Sequence, residues 1–224
     1  NALDHLDAAY TNGFNPFATD CHVIIADGLR GTDDIIVPIE GGEYCKEAYI
    51  GRAVMDADIV ISLNHFKGHE ATGFGGALKN LSIGIASSYG KSYIHGAGVV
   101  ENMWNCEQDK FLEAMADADK SVITYMKNNL SYINVMSKMS VDCDCNSHPK
   151  EPEIADIGIL GSVDPVALDK ACVDLVYKSS DEGKKSLIER IESRHGIHTI
   201  EAAEKLGIGK TKYKLIEIRP LLKK

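Results

Sequence analysis

The sequence lacks the features of several protein classes. No run of about 18 apolar residues occurs, so no transmembrane helix is expected. No CxxC pair is present, and six cysteines in 224 residues are too few for a disulfide-stapled secreted scaffold. No basic stretch followed by an apolar one indicates a secretory signal. These absences predict a protein of the reducing cytoplasm with free thiols. The first residue is Asn1, which leaves an upstream segment open.

The sequence also has fewer basic residues than acidic ones, with 24 Lys and Arg against 33 Asp and Glu. The formal net charge is −9 and the pI is about 5.4, which argues against binding to nucleic acid or to an anionic membrane surface. A hydrophobic content of 44% is that of an ordinary globular protein with a full core. We therefore predict one α/β domain spanning residues 1–224, with room for a small lobe.

Candidate strands and helices are mixed along the chain, which is typical of an α/β protein. The β-branched run at 58–63 predicts a strand buried on both faces of a sheet. Asp164 and Pro165 predict a helix start, because Asp caps well and Pro suits the first turn. We expect a mixed, mostly parallel sheet with flanking helices. The other predicted strands are 23–26, a hairpin of 35–39 and 45–50, 132–136, 157–160 and an edge strand at 213–218. The other predicted helices are 2–10, a short one at 76–85, 111–128, 184–194 and 200–206.

The stretch 63–95 combines histidines, a lysine and several glycines just after the predicted strand 58–63. In open α/β sheets, ligands gather beyond the carboxyl ends of strands. Neutral imidazoles transfer protons near neutral pH, and a partly desolvated lysine becomes a usable amine. We predict His69, Lys79 and His95 as catalytic residues. The alternative is a glycine-rich loop with exposed polar side chains.

The glycines of this stretch predict an anion site. Gly73, Gly75 and Gly76 allow a ligand to approach the backbone closely, and amide groups before a helix start can bind an anion. With Asn80, these glycines are the predicted cofactor-binding residues.

A second group of polar residues lies between two predicted strands. Cys143 and Cys145 alternate in an extended segment, so both thiolates could face one soft metal, with His148 as a third ligand. Two ordinary thiols at a strand end are the alternative. The closest candidate for a fourth ligand is the distant Cys106, so we do not expect a self-contained iron–sulfur cluster. We predict a transition metal, with iron, nickel and zinc all open.

Three motifs stand out along the chain: HFKGHEATGFGGALKNLSIGI at 65–85, INV…DCDC ending at Cys145, and DIGILGSVDPVALDKA at 156–171. Together they resemble the domain-of-unknown-function 362 family, whose members are often labelled iron–sulfur or ferredoxin-like. Many members carry an inserted ferredoxin segment with two four-cysteine runs after the histidine equivalent to His95. Only Cys106 lies in the corresponding region here, so the resemblance does not imply ferredoxin clusters. It leaves an external electron carrier as a partner to consider.

The pattern His69-x-x-x-Gly73-x-Gly75-Gly76-x-x-Lys79, followed by His95, is also similar to the motif of nickel-pincer lactate racemases. That similarity implies acid/base work for His69, attachment of the pincer cofactor to Lys79 and nickel binding by His95. It assigns no role to Cys143 or Cys145.

We therefore expect a metal- or redox-linked enzyme, an oxidoreductase or an isomerase, that acts on a small anionic metabolite. The alternative is a metal-binding or electron-relay module that uses the Cys143 and Cys145 loop without catalysis of its own. A structural or partner-binding domain, with the glycine loop as a subunit contact, is a third interpretation, and a homo-oligomer is one such arrangement.

Overall fold

A computed structural model describes residues 1–127 and 129–218. Seven strands and nine α-helices are found in these residues, together with a π-helical turn at Asn80–Gly84 and a 3₁₀ turn at Val100–Asn102. The strands are β1 (Asp34–Pro38), β2 (Glu47–Gly51), β3 (Val60–His65), β4 (Lys67–His69), β5 (Gly73–Gly75), β6 (Leu130–Met136) and β7 (Gly158–Ser162). The helices are α1 (Ala2–Thr11), α2 (Pro16–Thr19), α3 (Arg52–Met55), α4 (Ala77–Lys79), α5 (Ser88–His95), α6 (Gln108–Met126), α7 (Pro165–Lys178), α8 (Lys184–Ser193) and α9 (Ile197–Lys205).

The main sheet has the order β3-β6-β7 and is mixed. β3 runs parallel to β6, and β7 is antiparallel to β6. Parallel neighbours need a long crossover, and the chain between β3 and β6 contains β4, β5 and the helices α4 to α6. The prediction of an α/β fold with a mixed sheet and flanking helices is confirmed. The prediction that the sheet is mostly parallel is wrong, because one of the four strand pairs in the described residues is parallel and three are antiparallel.

Several local predictions are also confirmed. β1 and β2 form the expected antiparallel hairpin. Asp164 caps α7, since its Oδ1 accepts a hydrogen bond of 3.0 Å from the Ala167 amide. The predicted helix 111–128 corresponds to α6, which begins earlier and ends at Met126; Asn128 lies outside the described residues.

Two predicted strands are wrong. Residues 23–26 and 213–218 have no strand partner among the described residues and follow an irregular path. Both stretches carry β-branched residues, but a strand needs a neighbouring ladder as well as local propensity. Near the C-terminus, the Tyr213 hydroxyl donates to Asp174 on α7, so a side chain rather than a backbone ladder fixes this segment.

The two faces of the main sheet differ in burial, which corrects the prediction that strand 58–63 is covered on both. Asn64 and Asn134 point to the covered face and are 3% and 0% exposed. On the opposite face, Ile61, Leu63 and Ile159 are 63%, 66% and 71% exposed. The β-branched run therefore forms a strand with one open apolar face. No helix in the described ranges is both long enough and apolar enough to cross a membrane.

Candidate functional site

A short antiparallel ribbon, formed by β4 and β5, carries the predicted site residues His69, Gly73 and Gly75. His69 pairs with Gly73 and Lys67 pairs with Gly75 across this ribbon. Gly73 has a φ of +79°, and an added Cβ would lie 2.9 Å from the Ile191 carbonyl oxygen, so only glycine suits this position. At Gly75 an added Cβ would lie 3.1 Å from Lys67 Nζ, so this glycine leaves room for the amine.

The helix start after the glycines is occupied by the protein's own carboxylate. Asp169 on α7 accepts hydrogen bonds from the amides of Ala77 and Leu78, at 2.8 and 2.9 Å. An added Cβ at Gly76 would lie 2.5 Å from Asp169 Oδ1. The Asp169 carboxylate therefore occupies the position at this helix start where we predicted a bound anion. Gly76 has no side chain that would block the approach of this carboxylate.

Asn80 belongs to a chain of side-chain amides rather than to an open pocket. Its Nδ2 donates to Asn64 Oδ1 at 2.6 Å, and Asn64 in turn donates to Asn134 Oδ1 at 3.0 Å. Asn134 then donates to Asp169 Oδ1 at 2.7 Å. This chain of bonds connects β3, β6 and α7 to the start of the helical segment that carries Lys79. Asn80 thus fixes the backbone next to Lys79 through its hydrogen bond to Asn64.

The cysteine loop, residues 139–145, lies directly against β4. The Gly68 amide donates to the Ser140 carbonyl at 2.7 Å. An added Cβ at Gly68 would lie 2.3 Å from the Val141 carbonyl oxygen, so the missing side chain lets the two backbones meet. Asp144 accepts from His65 Nδ1 at 3.0 Å, which ties the loop to the end of β3.

This contact joins the two groups that the sequence presents separately. His69, Cys143 and Cys145 form a cluster whose ligand atoms all lie within 4.8 Å of one another. Cys143 is buried and Cys145 is exposed. His148, the predicted third metal ligand, is exposed and its Nδ1 lies 2.9 Å from Ser147 Oγ. The structure therefore brings His69, and not His148, to the two thiols.

Two lysines accompany the sulfur atoms. Lys67 is only 5% exposed, and its ammonium donates to Cys143 Sγ at 3.5 Å. Lys79 is partly buried, and burial is the main cause that lowers its pKa; the charge of Lys67 lowers it further, while that of Cys143 opposes this. Buried ammonium groups need an anionic partner. Cys143 as a thiolate, or a bound anion, would supply the negative charge.

His69 is held as a neutral ring with a defined tautomer. Burial lowers its pKa to about 3, and the charges of Lys79 and Lys67 act in the same direction. Its Nδ1 accepts hydrogen bonds from the amides of Ala71 and Thr72, at 3.1 and 3.2 Å. A neutral imidazole carries its proton on the other nitrogen when one accepts. Nε2 of His69 is therefore an N–H donor.

His95 has the opposite tautomer. Its Nδ1 lies 2.7 Å from the Lys91 carbonyl oxygen, which can only accept, so Nδ1 carries the proton. Burial also lowers the pKa of His95, so that Nε2 has a free lone pair for a proton or a metal. Stacking on Phe111, with ring centroids 4.8 Å apart, fixes the ring plane. The charge of His95 acts on His69, which makes the two rings electrostatic neighbours.

The donor set suits a soft transition metal, although His69 imposes a condition. Two thiolates and an imidazole are the ligands that zinc, iron and nickel accept. Metal binding through Nε2 of His69 would require that nitrogen to lose its proton, because both amides occupy Nδ1. Cys143 and Cys145 would bind as thiolates, so each must also lose its proton, and burial raises the pKa of Cys145 to about 11. The charges of Lys79 and His95 act on His69, so the predicted catalytic residues are electrostatic neighbours of the cluster formed by His69 and both cysteines. Their chemical roles remain predictions.

Sequence reasoning placed Lys67 just beyond the predicted strand 58–63 but assigned no role to Lys67 or Gly68. Both lie in the stretch His65–His69, where alternate residues of β4 project to one side. This period-two pattern places Lys67 beside His69 and could have indicated its part in the site. The sequence carries no local signal for the close approach of Gly68 to Val141.

Comparison with known proteins identifies the family. A sequence profile described as domain of unknown function (DUF362) matches residues 1–174. The chain belongs to this family. No curated protein matches the sequence significantly.

A solved structure also resembles this DUF362 chain, the lactate racemase apoprotein from Thermoanaerobacterium thermosaccharolyticum. The TM-score is 0.46 and the sequence identity is 14%. The match covers 76% of this chain and 37% of the racemase chain, so the sequence spans little more than a third of the length of that protein.

Proposed function

We propose that this protein is an enzyme that transfers a proton on a small anionic metabolite, as an isomerase or as part of an oxidoreductase reaction. The observation that carries the proposal is the opposite tautomers of His69 and His95 near the buried Lys67 and the partly buried Lys79. One ring presents an N–H and the other a lone pair at the same pH. A reaction that removes one proton and delivers another needs such a pair.

The two lysines supply the attraction for an anion. Lys67 is buried and Lys79 is partly buried, so water screens their charges less than it screens surface charges, and they act more strongly on a ligand beside them. A carboxylate bound there would withdraw electrons from its neighbouring C–H bond. His95 would accept that proton at Nε2, and His69 would donate its Nε2 proton to the developing charge.

We further propose that Cys143 and Cys145 hold a transition metal at this site. A bound metal would act as a Lewis acid and stabilise negative charge on the ligand. His69 would be a third ligand only after losing its Nε2 proton. With its proton on Nε2, His69 serves better as a hydrogen-bond donor.

Proton exchange provides a direct test. Protein purified without oxygen is incubated in D₂O with a panel of small carboxylic acids bearing an acidic C–H bond. Deuterium incorporation is then followed by ¹H NMR. We expect exchange with at least one member of the panel, and a decrease of roughly 10²–10⁴-fold in His95→Gln, because a general base is lost. Equal exchange in both proteins would refute the role of His95.

Lys79→Met tests the anion site, with Lys110→Met as the matched control because Lys110 pairs with Glu107 on the surface. We expect Lys79→Met to weaken carboxylate binding in calorimetry and Lys110→Met to leave it unchanged. Elemental analysis and intact mass of the same preparation report the metal and any adduct on Lys79.

A metal-binding module without catalysis is the second candidate, and the clustering of His69 with both thiols favours it. The two candidates differ in one outcome. A protein that loses its metal in Cys143→Ser, yet shows no exchange with any carboxylic acid of the panel, is such a module. Retention of the full metal load in Cys143→Ser/Cys145→Ser would exclude both cysteines as ligands.

A further inference from the structure

The two cysteines of the site differ in access but are close to each other. Their sulfur atoms lie within 4.8 Å, and the Cys145 amide donates to Cys143 Sγ at 3.4 Å. Cys143 lies inside against Lys67, whereas Cys145 is exposed to solvent. An outer thiol beside an inner one is the arrangement in which the first meets a reagent and the second completes the reaction.

We infer that Cys143 and Cys145 form a reversible disulfide, so that oxidation of this pair closes the site to soft metals. A disulfide needs a sulfur–sulfur distance of about 2 Å and accepts a range of Cα separations that neighbouring loop residues can reach. Rotation of the exposed Cys145 side chain can bring the sulfurs together. The remaining cysteines, Cys21, Cys45, Cys106 and Cys172, are free thiols that do not enter the metal-ligand cluster.

The oxidant is a small-molecule disulfide, and the cationic surroundings of Lys67 and Lys79 favour an anionic one. The Cys145 thiolate attacks one sulfur of that molecule, whose S–S bond breaks and releases a first thiolate. Cys143 then attacks the Cys145 sulfur and releases the second. The two protein thiols give up two electrons to the small disulfide, and their two protons go to the released thiolates.

The asymmetry of the pair gives this step a direction. Only Cys145 is reachable from solvent, so the mixed disulfide forms there and Cys143 resolves it. Lys67 donates a hydrogen bond to the inner sulfur and so holds it beside Cys145. After oxidation neither sulfur can bind a metal as a thiolate. The consequence for metal binding rests on the proposed function, but the disulfide itself does not.

A single tryptic peptide reports the reaction. Cleavage after Lys138 and Lys150 yields residues 139–150, which contain Cys143 and Cys145 and no other cysteine. Metal-free, reduced full-length protein is treated with glutathione disulfide, alkylated under native conditions and digested. We expect the peptide to be two hydrogens lighter than its reduced form and to carry no alkyl group. Dithiothreitol should restore the reduced mass.

Variants separate the two steps. Cys143→Ser should stop at a stable glutathione adduct on Cys145, and Cys145→Ser should leave Cys143 reduced. Cys21→Ser, which removes an exposed thiol outside the site, should react as the wild type does. A wild-type peptide that keeps glutathione on Cys145 while Cys143 remains a free thiol would overturn the inference.

Zinc loading distinguishes this inference from the metal proposal. If Cys143 and Cys145 bind zinc, excess zinc should slow disulfide formation at least tenfold. Disulfide formation that zinc does not affect would refute the metal proposal and support the redox pair. Zinc binding to Cys143 and Cys145 without any disulfide after oxidation in the metal-free protein would do the reverse.

Discussion

The glycine turn, residues 73–76, and the cysteine loop, residues 139–145, use their polar groups in opposite ways. The amides after the glycine turn donate inward to Asp169, which is fully buried and also bonded to Asn134. In the cysteine loop, the sulfur atoms face Lys67 and His69 and retain their capacity to bind. The glycine-rich turn thus receives the protein's own carboxylate, whereas the cysteine loop contributes the reactive thiols.

Removal of the carboxylate under the glycine turn should have the largest effect. Asp169→Ala leaves the amides of Ala77 and Leu78 and the Asn134 side chain without their partner in a buried place. We expect a loss of about 3–5 kcal/mol in the free energy of unfolding, measured by urea denaturation. Asp156→Ala is the control, since that exposed carboxylate also accepts two hydrogen bonds. Equal losses in both variants would show that burial of Asp169 does not matter.

The same carboxylate should make stability depend on pH. Burial raises the pKa of Asp169 to about 6, above its ordinary value of 3.8, so the folded protein binds this proton more tightly than the unfolded chain. Stability from this group is therefore present below pH 4 and is lost as the pH rises through 6. The loss amounts to up to about 3 kcal/mol.

Asp169→Asn removes this titration, and with it the contribution that the Asp169 charge makes to the raised pKa of Asp119. Asp119 is also buried, its pKa is raised in the same direction, and neither of its oxygens has a hydrogen-bond partner among the described residues. The relevant quantity is thus the difference between wild type and variant at pH 7 and pH 5. We expect the wild type to gain more stability on acidification; parallel curves would contradict the assignment.

A methyl group on Gly68 should separate the cysteine loop from β4. The added carbon would overlap the Val141 backbone, which cannot move without lifting the loop. We expect a cost of about 1–3 kcal/mol for Gly68→Ala. Slower disulfide formation between Cys143 and Cys145 should accompany it. Gly161→Ala is the matched strand control, because its added Cβ would find the nearest atom at 3.6 Å. A Gly68→Ala protein with wild-type disulfide kinetics would refute the role of this contact.

The smallest effect is expected at His148. Because it is exposed and lies outside the cluster of ligand atoms, His148→Ala should bind zinc as the wild type does. His69→Ala is the informative counterpart. If His148→Ala weakens zinc binding in calorimetry and His69→Ala does not, His148 rather than His69 is the third zinc ligand.

Much of the site could be predicted because its residues follow the end of β3. His69, Lys79 and His95 share one stretch of sequence, and strand ends in α/β proteins attract ligands. The rest depends on contacts across the chain. Asp169 lies 92 residues beyond Ala77, its hydrogen-bond partner, and no local pattern connects them. The tautomers of the two histidines likewise depend on backbone atoms whose positions follow from tertiary structure. The open face of the sheet escaped prediction because β-branched runs form both one-sided and two-sided strands.

Successive side chains of β3 point to opposite faces of the sheet, so exposed apolar residues alternate with polar residues of the inner side along this strand. Ile61 and Leu63 face outward from the sheet, while Asn64, on the next position, belongs to the bonded amides that reach Asp169. Substitutions at the outward positions can therefore change solubility or carry a spectroscopic label without altering the amides beneath them. The outer side of this strand thus tolerates substitution, whereas its inner side does not.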